Sequence, residues 1–154
     1  MEKRPDIFDR IMHLPGFRIL EPFYKKHKEV LMYLFFGGIA FFLNIALFYL
    51  FHDTFGIEEL IANVICWVLC VLFQFFTNRT WVFDGHVETM GAFWKQMGSF
   101  FGGRVFTLVV EEGILAVFIT WLAFNSMVVK LAAQVVVIVL NYVVSKLFVF
   151  REPA

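Results

Sequence analysis

The chain has 154 residues, 60% of them hydrophobic, 19% aromatic and 17% charged, and its formal net charge at pH 7 is zero. A soluble domain carries nearer a quarter charged residues, and 22 Phe are too many for one soluble core of this length. The composition therefore excludes an ordinary soluble domain and argues against an enzyme with a soluble substrate; no nucleic-acid partner is expected, and the zero total, a sum of segregated charges, is uninformative.

Residues 1–29 scatter single apolar residues such as Ile7, Phe8, Ile11, Leu14, Phe17 and Phe23 among Lys3, Arg4, Arg10, Arg18, Lys25, Lys26 and Lys28, with Pro5, Pro15 and Pro22 as breaks. The pattern lacks the apolar stretch and small-residue cleavage site of a signal peptide. It predicts one or two short amphipathic helices on the inner leaflet, held by apolar burial and anionic lipid; a flexible basic leader is the alternative. His13 and His27 read as interfacial residues.

Four apolar runs follow. Val30 to Phe51 and Leu60 to Asn78 contain no Asp, Glu, Lys, Arg or His, and each is near the roughly 20 residues that cross a bilayer core. Phe93 to about Phe124 is interrupted by Arg104, Glu111 and Glu112, and Met127 to about Val149 has Lys130 near its start. Period-2 alternation, the signature of a membrane barrel, is absent. The expected fold class is an all-α integral membrane protein: a leader over 1–29 and a four-helix transmembrane domain over 30–154.

Lys and Arg set the expected orientation. The leader's cations, Arg79 and Lys95 in the middle loop, and Lys146 and Arg151 at the end all lie on one side, while the other two loops hold Asp53, Glu58, Glu59 and only Lys130. Both termini are thus expected in the cytoplasm.

The chain also nearly repeats itself at a spacing of about 65–67 residues. Phe35-Phe36-Gly37-Gly38 returns as Phe100-Phe101-Gly102-Gly103, Asn78-Arg79-Thr80-Trp81-Val82-Phe83 returns as Ser145-Lys146-Leu147-Phe148-Val149-Phe150, and Gln74 falls on Asn141. Two helices per copy, about 30–83 and about 95–150, would enter the membrane from the same side. Such parallel repeats occur in transporters, with the site between the halves.

Polar residues inside the runs are the candidate site. Arg104 and Glu111 are seven apart and share a helix face, with Glu112 turned about 80° away. Near the bilayer midplane each charge costs about 2.5–3.5 kcal/mol on an insertion scale, which makes intramembrane charges functional candidates; a helix–helix ion pair is the structural alternative. Gln74, Asn78 and Arg79 lie along one side of helix two, as do Asn141, Ser145 and Lys146 on helix four. A cation with amide and hydroxyl donors suits a phosphate headgroup, although cations at cytoplasmic helix ends and an aromatic belt at Trp81 and Phe83 also follow from membrane topology alone. Asn44 and Asn63 are read as interhelical hydrogen-bond partners, and Gly37, Gly38, Gly98, Gly102 and Gly103 as packing residues. Cys66 and Cys70 are read as small apolar side chains, and no metal or cofactor motif is present. A bundle this short has little room for a central path, so a homo-oligomer is expected.

These residues resemble the GtrA-like family of small four-helix bacterial membrane proteins over about 30–151. The likeness rests on Phe36-Gly37-Gly38 with Asn44, on Phe75-x-x-Asn78-Arg79-x-Trp81-Val82-Phe83, on Arg104, and on Asn141-Tyr142-x-x-Ser145-Lys146-x-x-Val149-Phe150. The resemblance implies translocation of a polyprenyl-phosphate-linked sugar across the bacterial cytoplasmic (inner) membrane for polysaccharide glycosylation, with glycosyltransferases as users of the product and no catalysis by the chain itself. It makes Asn78, Arg79, Ser145 and Lys146 candidates for the grip on the phosphate and Arg104 a deeper contact, with Trp81, Trp67 or Tyr142 for the sugar. The leader and the Glu111–Glu112 pair fall outside the family pattern. Two other readings stay open: a non-transporting anchor of a glycosyltransferase, and a small proton-coupled exporter.

Overall fold

The computed structural model describes residues 6–17, 19–83 and 85–151, without the side chains of Ser126 and Met127. Lys3, Arg4, Pro5 and Arg18 of the leader lie outside them. The described residues form helices and connecting turns, with no strand.

Helix α1 (Ile7–Met12) is a short piece closed by a capping box, in which Asp6 accepts from the Asp9 amide and Asp9 from the Asp6 amide. Helix α2 (Glu21–Phe48) starts with Pro22 in its first turn, where a missing amide proton costs nothing, and bends at His27, whose φ of −120° and ψ of 17° are non-helical. The leader is therefore two short helical pieces hinged onto the first long helix. α1 folds back on it: Phe8 packs edge-on against Phe35 and Phe36, at 5.8 Å each, and Lys28 Nζ lies 2.8 Å from Asp6 and 2.7 Å from Asp9. Burial pushes the Asp9 carboxyl up, but the Lys28 ammonium and the Asp6 amide outweigh it and hold the group below the ordinary carboxylate range.

Three more long helices follow, α3 (Glu59–Thr77), α4 (Met90–Leu115) and α5 (Ser126–Val144), and all four long helices run on into a π-helical turn, at Tyr49–Thr54, Asn78–Val82, Ala116–Trp121 and Ser145–Val149. α2 packs on α3 and α4 on α5, giving two hairpins; α3 and α4 join them. Three helices, spanning Glu21–Thr54, Glu59–Val82 and Val128–Val149, are long and apolar enough to cross a membrane, and only 22–33% of their apolar windows is covered by the rest of the chain. So much apolar surface facing outward fits lipid as the solvent. α4 matches them in length, but carries Arg104, Glu111 and Glu112.

The two hairpins are built alike in detail. In the first connection Phe55 donates to the Leu50 carbonyl and Ile57 to Phe51; in the second, 67 residues on, Leu122 donates to Val117 and Phe124 to Phe118. Gly56 has φ 66° and its counterpart Ala123 has φ 54°. At the other end Phe83 donates to Asn78 and Phe150 to Ser145, and the Phe83 and Phe150 rings stack at 5.2 Å.

Most of the large buried residues gather at the end of the bundle that holds residues 85–89. Tyr24, Met32, Tyr33, Phe36 and Val82 form one cluster there, and Val71, Phe75, Phe100, Val149 and Phe150 another. Small residues fill the crossings within the hairpins, with Ala62, Cys66 and Ala133 fully buried. Of the glycines expected to pack, Gly103 does so: a methyl group there would meet Val144 Cγ1 at 2.8 Å. Gly37, Gly38, Gly98 and Gly102 have nothing within 4 Å of that position, so these four face open space.

Candidate functional site

Gly37 and Gly38 border a cleft between the hairpins, made of two communicating cavities of about 450 and 290 Å³, whereas Gly98 and Gly102 are exposed away from it. α2 contributes Tyr33, Gly37, Gly38 and Phe41, α3 and its final turn Gln74 and Asn78, α4 Arg104, and α5 Gln134 and Asn141. The second cavity shares Gly37, Gln74, Arg104 and Asn141 and runs on to Asn44, Trp67, Thr107 and Glu111. A third space of about 550 Å³, lined by Tyr49, Asp53, Glu59 and Asn63 among others, begins at Asn44, which lines both.

The cleft stays open where Gly37 and Gly38 stand among the larger side chains that line it, such as Phe41, Val137 and Ile138. Gly37 and Gly38 leave one wall bare. On the opposite wall Arg104 is half-buried, its guanidinium 4.9 Å from the Phe100 ring centroid and next to the Tyr33 hydroxyl. Among the described residues no carboxylate forms an ion pair with it. Thr107 is buried; its hydroxyl lies 2.8 Å from Asn141 Oδ1 and 3.1 Å from the Arg104 carbonyl, which ties α4 to α5 and fixes the Asn141 amide. Gln134 Nε2 donates to Glu111 Oε1 in a short hydrogen bond. Asn44 touches the Cys70 thiol, and that thiol donates weakly to the Ala40 carbonyl at 3.6 Å.

The cleft thus brings together six of the sequence candidates: Gln74, Asn78, Arg104, Asn141, Asn44 and Glu111. Five others are elsewhere. Arg79 donates from Nε to Gln96 Oε1 at 3.0 Å and lies over the Phe93 ring at 5.1 Å, in a separate pocket with Glu88. Lys146 is 2.8 Å from Glu29 Oε1, a carboxylate that also accepts from the Tyr142 hydroxyl at 2.6 Å. The two repeated cations are therefore engaged with side chains of this chain. Ser145 is buried with its carbonyl bonded to Phe150. Trp81 stacks on Phe36 at 5.4 Å, and Glu112 is exposed on the outer side of α4.

Two cleft residues were missed. Gln134 stands alone in an apolar run, yet it is seven residues before Asn141 and so on the same face. Tyr33 gave no pattern, since its partner Arg104 is on another helix. Among the described residues no three His, Cys, Asp or Glu converge on a metal-sized site.

The family described as GtrA/DPMS, transmembrane domain, matches residues 32–150, which takes in every cleft residue. The chain belongs to this family. Its relatives include the cell wall teichoic acid glycosylation protein GtcA of Listeria innocua, 37% identical over 123 residues, 80% of this chain and 85% of that one. GtcA of Listeria monocytogenes shows the same identity and coverage. The uncharacterized membrane protein YwcD of Bacillus subtilis is 31% identical over 121 residues, 79% of this chain and 95% of its own. The chain is thus a membrane protein of the GtrA/DPMS family whose GtcA relatives are named for cell wall teichoic acid glycosylation, and its matched region begins just after the leader.

Proposed function

We propose that the chain carries a polyprenyl-phosphate-linked sugar from the cytoplasmic to the outer leaflet of the bacterial inner membrane, for glycosylation of a cell-surface polymer. The observation that supports this best is the cleft cation. Arg104 sits between two hairpins with amides around it and, among the described residues, no carboxylate paired to it, and a guanidinium is a planar donor fork suited to phosphate oxygens. The GtcA relatives, named for teichoic acid glycosylation, supply the polymer class.

In this reading all four long helices span, α4 included, the hairpins are parallel repeats, and both termini are cytoplasmic. Two of the three α4 charges, Arg104 and Glu111, face the cleft rather than lipid, which lowers their cost, while Glu112 lies on the outer side. The phosphate and sugar travel in the cleft while the polyprenyl tail stays in lipid, which lowers the cost of desolvating a charge. The hairpins rock against one another to open the cleft to either side. No covalent step is involved, so the chain is a transporter and not an enzyme. A midplane Glu such as Glu111 would suit a cation exporter, but Arg104 in the same cleft counts against one, because its guanidinium repels a cationic substrate.

A second reading, a membrane anchor for a polyprenyl-phosphate glycosyltransferase, draws support from the exposed apolar residues Ile7, Ile19 and Phe23 of the leader. One experiment separates the two. The purified chain is reconstituted in liposomes with a short-chain polyprenyl-phosphate hexose, and access of the sugar to an impermeant probe is followed. Protein-dependent equilibration that Arg104→Ala abolishes is the expected result. No equilibration with folded protein would favour the anchor.

A further inference from the structure

We propose that Glu111 and Gln134 select the headgroup, and that the cleft accepts a single uncharged sugar and rejects one bearing a carboxylate. The inference rests on the reading of the cleft as a lipid-linked-sugar site and adds what that site discriminates.

Spacing gives the first argument. Arg104 and Glu111 line the same cavity, seven residues apart on α4, which puts them about 10 Å apart along the axis at 1.5 Å per residue. With a phosphate on Arg104, the first sugar ring reaches Glu111.

The chemistry of the walls gives the second. Four residues surround that level of the cleft: Asn44 and Trp67 from one hairpin, Glu111 and Gln134 from the other. They occupy equivalent positions, since Glu111 is 67 residues after Asn44 and Gln134 is 67 after Trp67. An indole, two carboxamides and a carboxylate are what a pyranose needs. The ring presents an apolar face to the indole, and its hydroxyls donate to the carboxylate and exchange hydrogen bonds with the amides. Gln134 holds Glu111 through one oxygen, leaving the other free to accept from a hydroxyl.

Charge gives the third. A carboxylate accepts and cannot donate. A sugar acid at this level would set two carboxylates side by side, and like charges repel. Arg104 cannot neutralise both a phosphate and that second anion two turns away.

The test compares two lipids with the same short polyprenyl-phosphate tail, one carrying a hexose and the other the corresponding hexuronic acid. Binding is measured by calorimetry in detergent and flipping in proteoliposomes. The wild-type chain should bind the hexose lipid about tenfold or more tighter, the size expected of one like-charge contact. Glu111→Gln should weaken hexose binding about threefold, strengthen hexuronate binding and bring the ratio near one. Gln134→Leu, a second variant that spares the charge, should weaken hexose binding and keep the preference. Arg104→Ala should weaken both lipids alike. Equal binding by the wild type, a preference that survives Glu111→Gln, or no binding of either lipid would overturn the inference. Selective binding without flipping would leave it standing and remove the translocator reading; unselective flipping would do the reverse.

Discussion

The two walls of the cleft have the same backbone and opposite chemistry. Gly37, Ala40 and Asn44 on α2 stand 67 residues before Arg104, Thr107 and Glu111 on α4, and all six line the second cavity. One wall is small and neutral, while the other carries a cation, a hydroxyl and an acid. A cleft between like hairpins gets its shape from both, but a single phosphate needs only one cation. In the proposed reading, placing the charges on one side avoids the insertion cost of a second buried set and leaves the glycine wall as room for the ligand.

The sharpest way to break the comparison is to move the charge. Arg104→Gly is expected to reduce transport about 10- to 100-fold, since hydrogen bonds to a charged group are worth roughly 1.5–3 kcal/mol. Adding Gly37→Arg places a guanidinium at the equivalent position on the opposite wall, where nothing lies within 4 Å of the new Cβ. If the walls are interchangeable, the double variant should recover to within about tenfold of wild type in the proteoliposome assay. A double variant as inactive as the single one would show that the Thr107–Asn141 support of the charged wall is indispensable.

Next in size are the glycines. Gly103→Ala drives a methyl group to 2.8 Å from Val144 Cγ1, and Val144 is β-branched and stiff, so the expected cost is about 1–3 kcal/mol of overpacking. It should appear as a lower melting temperature in detergent. Gly37→Ala meets nothing and should leave melting unchanged or slightly raised, by up to about 1 kcal/mol, because alanine is the better helix former. If both variants melt alike, Gly37 is not an open wall.

The connections allow a smaller test. Gly56 and Ala123 share a left-handed backbone, with φ 66° and 54°, which glycine adopts freely and alanine at a cost of about 1–2 kcal/mol. Ala123→Gly should therefore stabilise the chain by about 1 kcal/mol and Gly56→Ala should destabilise it by a similar amount. Equal and opposite shifts in melting would show that the two connections carry the same strain.

Much of this was legible in the sequence, and the failures have a physical pattern. The apolar runs marked three of the long helices to within a few residues, because length and hydropathy are local properties, while α2 starts at Glu21, nine residues before its run at Val30, since its first turns are charged. Arg104, Glu111, Gln74 and Asn141 could be placed on shared faces, since periodicity acts within one helix. What could not be read were partners across helices. Arg79 and Lys146 looked like free headgroup cations until Gln96 and Glu29 were seen beside them. The glycines illustrate the same limit: a small residue in a helix signals either close approach or an empty wall, and only the neighbouring helix decides, as Val144 does for Gly103 and the bare cleft for Gly37.

The smallest expected effect concerns the leader, which docks on the first hairpin and so makes the terminal ends of the two hairpins unequal. Its hold is the Lys28 ion pair with Asp6 and Asp9, plus the contact of Phe8 with Phe35 and Phe36. Partly exposed ion pairs contribute about 0.2–1 kcal/mol. The Asp9 carboxyl is held below its ordinary value of 3.8 when docked. Its contribution is therefore complete above that value and is lost as the pH falls through the depressed one. Hydrogen exchange of the α1 amides, corrected for intrinsic rates, should show constant protection from neutral pH down to about 4 and a loss of up to about fivefold below it. Lys28→Met should remove the pH dependence and leave the residual protection that Phe8 supplies. Protection that falls already between pH 7 and 5 would show that the Asp9 carboxyl does not control the docking.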